Sequence, residues 1–351
     1  MELEFKPDFE AAQAGWRAFW SGERSGPLVG AVVAKAGVEP VDPPPYTAGR
    51  DGDFGPVIDQ LLRWAETHEF LGAAIPFFYL EFAAAHFALL LGAELRVEGV
   101  EGNGWVEPFV DDWDDADIRF RPDGKWWERT AAFGEALRRR CDGRLLIAAP
   151  TLVGNLDALS AIGRPEKLLT DLVDRPDAVH RALERVDRAH AEILDALAER
   201  LGYETWGSIN RHGMYCRGRI NVPQCDFSFM ISREMFREFA LPALRAELAR
   251  FDAVEYHLDG PGAIQHLEAL CEIDELDVVQ WVSGSGEAEE TDWSDLYLRI
   301  DALGKGQIRG GPPEKLLEWR DRLRTRRLYW RLGVRTREAF EQCMAALKEG
   351  R

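Results

Sequence analysis

The run Glu255-Tyr256-His257-Leu258-Asp259-Gly260-Pro261-Gly262 holds the strongest candidate chemistry in the chain. An apolar stretch ends there in two polar residues spaced i, i+2, and on a β-strand that spacing puts both side chains on one face. An imidazole beside a carboxylate can bind a divalent cation, or work as a general base whose tautomer the acid holds. The same pair admits a plainer role, with Asp259 capping the turn and His257 a satisfied interior polar group. Gln224-Cys225-Asp226 comes second: Cys225 offers a soft metal ligand, and Asp226 a base, a third ligand or a substrate anchor. Cysteine is equally at home as a small buried hydrophobe. Gln280-Trp281 supplies an amide and a stacking face, and Asn155 and Asp157 follow the apolar run 145–150. Arg211, His212, Tyr215, Cys216, Arg217 and Arg219 make a basic, aromatic segment able to receive a carboxylate or phosphate, or simply to face solvent. Together these readings assign catalysis to His257, Asp259 and Asp226, and a metal to His257, Asp259 and Cys225. Substrate contacts fall to Gln224, Gln280, Trp281, Asn155, Tyr215 and Arg217.

Such residues act only if the fold delivers them to one place. From residue 128 the pattern is regular. A helix over 129–140 precedes the run 145–150, and Pro165 opens another at its first turn, where a missing donor is harmless. Pro176 starts a third, with Val179, Leu183, Val186, Ile193, Leu197 and Leu201 on one stripe. Ser232 is an N-cap for a helix carrying Phe236, Ala240, Leu244 and Leu248, which Pro242 should kink. Four strand–helix alternations follow: 254–257 with 261–271, 278–282 with 293–303, 306–308 with 313–323, and 328–330 with 336–347. Short apolar strands alternating with helices predict a parallel sheet flanked by helices. Eight such units close into a (β/α)8 TIM barrel, an α/β fold whose active site lies at the C-terminal strand ends. A doubly wound sheet is the competitor. No Gly-rich phosphate loop follows the first strand, so no nucleotide cofactor is expected.

Residues 1–127 read as an extended, irregular N-terminal part of the same single domain, 1–351. It holds a helix over 9–23, a strand at 28–33 and a surface loop over 37–55 containing Pro43-Pro44-Pro45. Val57, Leu61, Leu62 and Trp64 have helical spacing, and 73–80 suits a buried strand. The Trp- and Asp-rich stretch 103–127 resists assignment. The acidic run 111–115 reads as solvated surface, since it lacks the Gly-containing loop of a calcium site.

Composition narrows the partners. The 351 residues carry 43 Lys+Arg against 61 Asp+Glu, a net charge of −18, which disfavours nucleic acid and anionic membranes. A hydrophobic fraction of 46% excludes a disordered chain. Cys141, Cys216, Cys225, Cys271 and Cys343 are scattered, with no Cys-x-x-Cys pair, so neither a disulfide scaffold nor a four-thiolate zinc site is expected. The opening MELEFKPDFE has no signal-peptide pattern, and the longest apolar stretch, 82–91, is too short to cross a bilayer. A cytoplasmic location is the expectation.

The strand ending in His-x-Asp-Gly, its helix, and the next strand ending in Gln280-Trp281 together resemble the uroporphyrinogen decarboxylase-like superfamily. So do Ile231-Ser232-Arg233-Glu234-Met235-Phe236 and the Gly163-Arg164-Pro165-Glu166 and Asp174-Arg175-Pro176-Asp177 segments. The resemblance spans about residues 145–350 and touches the first third through Trp105-Val106-Glu107-Pro108-Phe109. It implies a (β/α)8 barrel acting as a decarboxylase, or as a zinc-dependent methyltransferase between corrinoid proteins and thiols. Two departures matter. The Arg-rich substrate-gripping segment of the decarboxylase has no counterpart in 28–37, and the zinc methyltransferases' His-x-Cys becomes His257-x-Asp259. A His/Asp site is harder and richer in oxygen than a His/Cys/Cys one. The resemblance therefore implies methyl transfer from a small metabolite, with a divalent metal, zinc by analogy, and a corrinoid protein as partner. A carboxy-lyase acting on a small acid and a binding protein that has lost its chemistry stand as alternatives, and a homodimer follows from the decarboxylase likeness.

Overall fold

The structure, a computed structural model, describes residues 2–98 and 103–349. Its strands are β1 (Leu28–Ala34), β2 (His68–Gly72), β3 (Phe77–Tyr79), β4 (Glu94–Glu98), β5 (Asn103–Glu107), β6 (Leu146–Ala148), β7 (Ser208–Ile209), β8 (Tyr215–Cys216), β9 (Ile220–Asn221), β10 (Ala253–Asp259), β11 (Val278–Val282), β12 (Gly306–Gly311) and β13 (Leu328–Leu332). A seven-stranded sheet runs β2-β1-β13-β12-β11-β10-β9. All its pairs are parallel except β1 with β2, which is antiparallel. β3 and β6 form a separate parallel pair, while β4–β5 and β7–β8 are antiparallel hairpins.

The four C-terminal strand–helix alternations are present. Their helices are Leu267–Cys271, Ser294–Ala302, Pro313–Arg322 and Arg337–Glu349. Earlier elements differ mainly in extent. Only Phe77–Tyr79 of the run 73–80 is strand, and the polar segment before Asp226 contains the short strands β7, β8 and β9. The unassigned stretch 103–127 opens with β5. The six stripe residues predicted for Pro176–Leu201 are all buried. Instead of a plain kink at Pro242, the helix widens into a π-type turn over Phe236–Ala240 and resumes at Leu241–Leu248. A proline lacks the N–H its preceding turn would bond, and the wider turn absorbs that loss.

Alternation along the parallel strands sorts residues into two faces. Val254, Tyr256, Leu258 and Val279 join the large apolar cluster shared with the outer helices. The residues that open several strands, Leu28, Leu146, Ile220, Ala253 and Val278, gather in a second cluster. Helix Phe9–Trp20 seals that end. Its buried Phe9, Ala12, Trp16 and Phe19 recur at helical spacing. Trp16 Nε1 donates to Ala73 O at 3.0 Å, and Trp20 Nε1 to Tyr215 O at 2.7 Å. The polar inward residues are thereby left to the opposite, C-terminal end. Among the described residues no helix is long and apolar enough to cross a membrane.

Candidate active site

β10 carries Ala253, Glu255, His257 and Asp259 on its inward face. Its register with β11 sets His257 beside Gln280, and the backbone N–H of His257 donates to Pro223 O at 3.0 Å. That contact brings Gln224 alongside His257 and delivers Asp226 to the end of β10. Asp226, His257 and Asp259 consequently converge: one ligand atom from each lies within 4.8 Å of the others. All three are half-buried.

Each member is held by a neighbour. Gln224 Nε2 donates to Asp226 Oδ2 at 2.7 Å, and Asp157 accepts the backbone N–H groups of Asp226 and Phe227 at 2.8 and 2.7 Å. His257 Nδ1 bonds Gln280 Oε1. With Nδ1 as the donor, Nε2 keeps its lone pair. The Oδ1 atoms of Asp226 and Asp259 are buried and have no hydrogen-bond partner. Two orphaned carboxylate oxygens beside an imidazole lone pair make a donor set suited to a divalent cation. Burial pushes the Asp226 carboxyl up to about 7, with repulsion from Asp157 and Asp259 added and Arg211 and Gln224 opposing. Asp157 is raised to about 6 by burial, against its two backbone donors. Burial and then the nearby Arg211 hold His257 below the ordinary imidazole range, so it is neutral at pH 7.

A second layer supports the first. Asn155, whose φ of 49° is one an asparagine tolerates, donates from Nδ2 to Gln224 O at 2.9 Å and Glu247 Oε2 at 3.2 Å. Deeper in, the fully buried Glu255 accepts from Asn210 Nδ2 at 2.6 Å and pairs with His212 Nδ1 at 2.7 Å. Burial works against its charge, but His212 and Asn210 outweigh it and hold Glu255 below the usual carboxylate range. The His212 and His257 rings lie 6.4 Å apart. Arg211 donates from Nη2 to Gln224 Oε1 at 3.1 Å, and its Nε is buried without a partner.

Glu81 and Tyr79 are the site-proximal groups that sequence reasoning passed over. Thr151 N donates to Glu81 Oε1 at 3.1 Å, and the Tyr79 hydroxyl lies 2.8 Å from Thr151 Oγ1. Burial raises Glu81 to about 8, with Tyr79 and the positive charge of Arg211 pulling the other way. The signal was available: Glu81 follows the apolar run 73–80 much as Asp259 closes the apolar run of its own strand.

Four predicted residues lie elsewhere. Trp281 adjoins Gln280, so the pleat sends it to the opposite face, where it packs against Trp293 at 4.9 Å. The same alternation buries Cys225 in the outer apolar cluster between Gln224 and Asp226, and its thiol is not part of the ligand group. Tyr215 belongs to the sealed N-terminal end, donating to Trp206 O at 2.7 Å. Arg217 spends its guanidinium on Tyr203 O and Glu204 O at 3.3 and 2.8 Å. In the acidic run 111–115 the aspartates face outward, Asp112 and Asp114 pairing with Arg175 and Arg181. The Trp113 between them is fully buried in the apolar core, so the run is not solvated surface throughout.

No family model matches the sequence, and no curated protein does. Among solved structures the chain is similar to a methyltransferase from Methanosarcina mazei, with a TM-score of 0.58 over 97% of this chain and 98% of that one. The two are 12% identical, so the likeness is one of fold.

Proposed function

We propose that this chain is a (β/α)8-barrel enzyme that transfers a methyl group from a small metabolite, using a divalent metal held by Asp226, His257 and Asp259. The observation that carries the reading is the convergence of those three side chains, with two buried carboxylate oxygens left without partners. Supporting it are the parallel pairing of the first long strand with the last, the gathering of strand starts under helix Phe9–Trp20, and the end-to-end fold likeness to a methyltransferase.

A bound divalent cation supplies Lewis acidity, polarising the atom that gains or loses the methyl group. The remaining work belongs to the chain. Gln280 fixes the His257 tautomer, and Asp157 and Gln224 pin Asp226 so that Oδ1 alone faces the cluster. Beneath them, His212 stays hydrogen-bonded to the buried Glu255. In this reading zinc is the metal and a separate corrinoid protein the methyl carrier. One observation favours a carboxy-lyase instead: Asp226, able to hold or release a proton near pH 7, shares the interior with Arg211. Carbon dioxide release from small acids would mark that activity.

The test is zinc stoichiometry of wild type, His257→Ala and Asp259→Ala after loading and desalting. About one equivalent in wild type and its loss in both variants are expected. Equal retention in all three, or none in wild type, rejects the metal site.

A further inference from the structure

Beside Asp226 opens a cleft of about 510 Å3, within the usual size of small-molecule sites. Trp105 and Pro108 wall one part of it, Phe229 and Met230 another, and Ala158 and Ala161 leave its depth open. Trp105 is 48% exposed and Phe229 57%, and large apolar side chains left wet around a concavity mark a surface waiting to be covered. Among the described residues no Lys, Arg or His lines the cleft, and its charged members are Asp157 and Asp226. Both Asp157 oxygens already serve backbone N–H groups, and Asp226 Oδ2 serves Gln224. What remains is Asp226 Oδ1, which faces the metal cluster.

Building on the one-carbon reading above, we propose that the substrate carries an uncharged, ring-sized apolar group that seats in this cleft, its reacting end at Asp226. An anionic group seated in the cleft itself, away from the cluster at its end, would find no cation on the walls, and desolvating it would go uncompensated. A cationic group would find one free carboxylate oxygen, already committed to the cluster. A neutral ring gains from burial alone, against the aromatic edge of Trp105 and the soft side chain of Met230. Recognition is thus apolar at one end and polar at the other, which lets the enzyme hold a methylated compound by its body while the cluster addresses the methyl-bearing atom.

Anisole, benzoate and phenyltrimethylammonium share one ring and differ in charge, so they serve as probes in ligand-observed NMR titrations of the full chain. Anisole is expected to bind at least about tenfold more tightly than either ion. Ala161→Trp fills the cleft and should abolish anisole binding. Phe229→Ala, at an exposed position that leaves the fold intact, should weaken it about three- to tenfold. Benzoate or phenyltrimethylammonium binding as tightly as anisole overturns the proposal, as does anisole binding untouched by Phe229→Ala. Zinc content measured on the same samples separates the two ideas: zinc held without anisole binding rejects the apolar cleft alone, and anisole binding without zinc rejects the metal site alone.

Discussion

Glu247→Gln tests whether the layer behind the site is neutral. Glu247 is buried, accepting from Asn155 at 3.2 Å, with its Oε1 3.7 Å from His190 Nε2. The second approach has the look of an ion pair, but burial drives both groups neutral, Glu247 up to about 8 and His190 down to about 4. The ordinary value for a glutamate is 4.5. Between pH 4.5 and 8 the unfolded chain therefore releases a proton that the folded chain keeps. An acid raised in this way contributes stability that is complete below the unfolded value and is lost as pH climbs through the folded one. At about 1.36 kcal/mol per unit, the loss across that window is on the order of 5 kcal/mol. Glutamine mimics the protonated acid, so the variant escapes the loss. Denaturant unfolding of both proteins at pH 5, 6.5 and 8 measures it, and groups common to both cancel in the difference. The variant's advantage should widen steadily with pH. Parallel stability curves would refute a Glu247 that keeps its proton in the folded protein.

Two further outcomes follow from the geometry. Gln280→Leu removes the partner of His257 Nδ1 and should lower zinc affinity about ten- to a hundredfold in chelator competition; unchanged affinity would deny Gln280 its positioning role. Trp16→Ala empties the seal beneath the strands and should cost about 3–5 kcal/mol in denaturant unfolding while zinc affinity stays within about threefold. A loss below about 1 kcal/mol would mean helix Phe9–Trp20 merely rests on that end.

The elements most legible in the sequence were those with strong periodicity and hard punctuation. The stripe from Val179 to Leu201 begins at Pro176, and its spacing alone predicts a helix buried on one side. β11 matches its expected bounds, 278–282, because Asp277 and Gly284 bracket a short apolar run. The run 73–80 fared less well: only its middle pairs, since hydrophobicity announces burial without naming a partner strand. The site shows the same division. His257 and Asp259 share a face by the pleat, and Gln280 was in reach of the strand-end rule. Trp281 and Cys225 sit one residue from Gln280 and Asp226, and the period of two that turns those neighbours toward the His257 cluster turns these two away. Tyr215 and Arg217 belong to a polar segment whose short strands β8 and β9 leave no pattern to say which end of the sheet they face.

Strand–helix alternation, the pairing of His257 with Asp259 on one strand face, and the absence of cysteines where a thiolate site would need them are properties of neighbouring residues along the chain. They could be read from order alone. That Asp226 joins His257 and Asp259 could not, because the contact is made by the backbone of Pro223 lying beside His257, 34 residues away by number. Nor could the pinning of Asp226 by Asp157, the central place of Arg211, or the cleft between Trp105 and Phe229. Each depends on which side chains the packing of distant elements leaves without water. Local spacing sets which face a residue takes, whereas desolvation and convergence are settled only when the whole chain has closed around them.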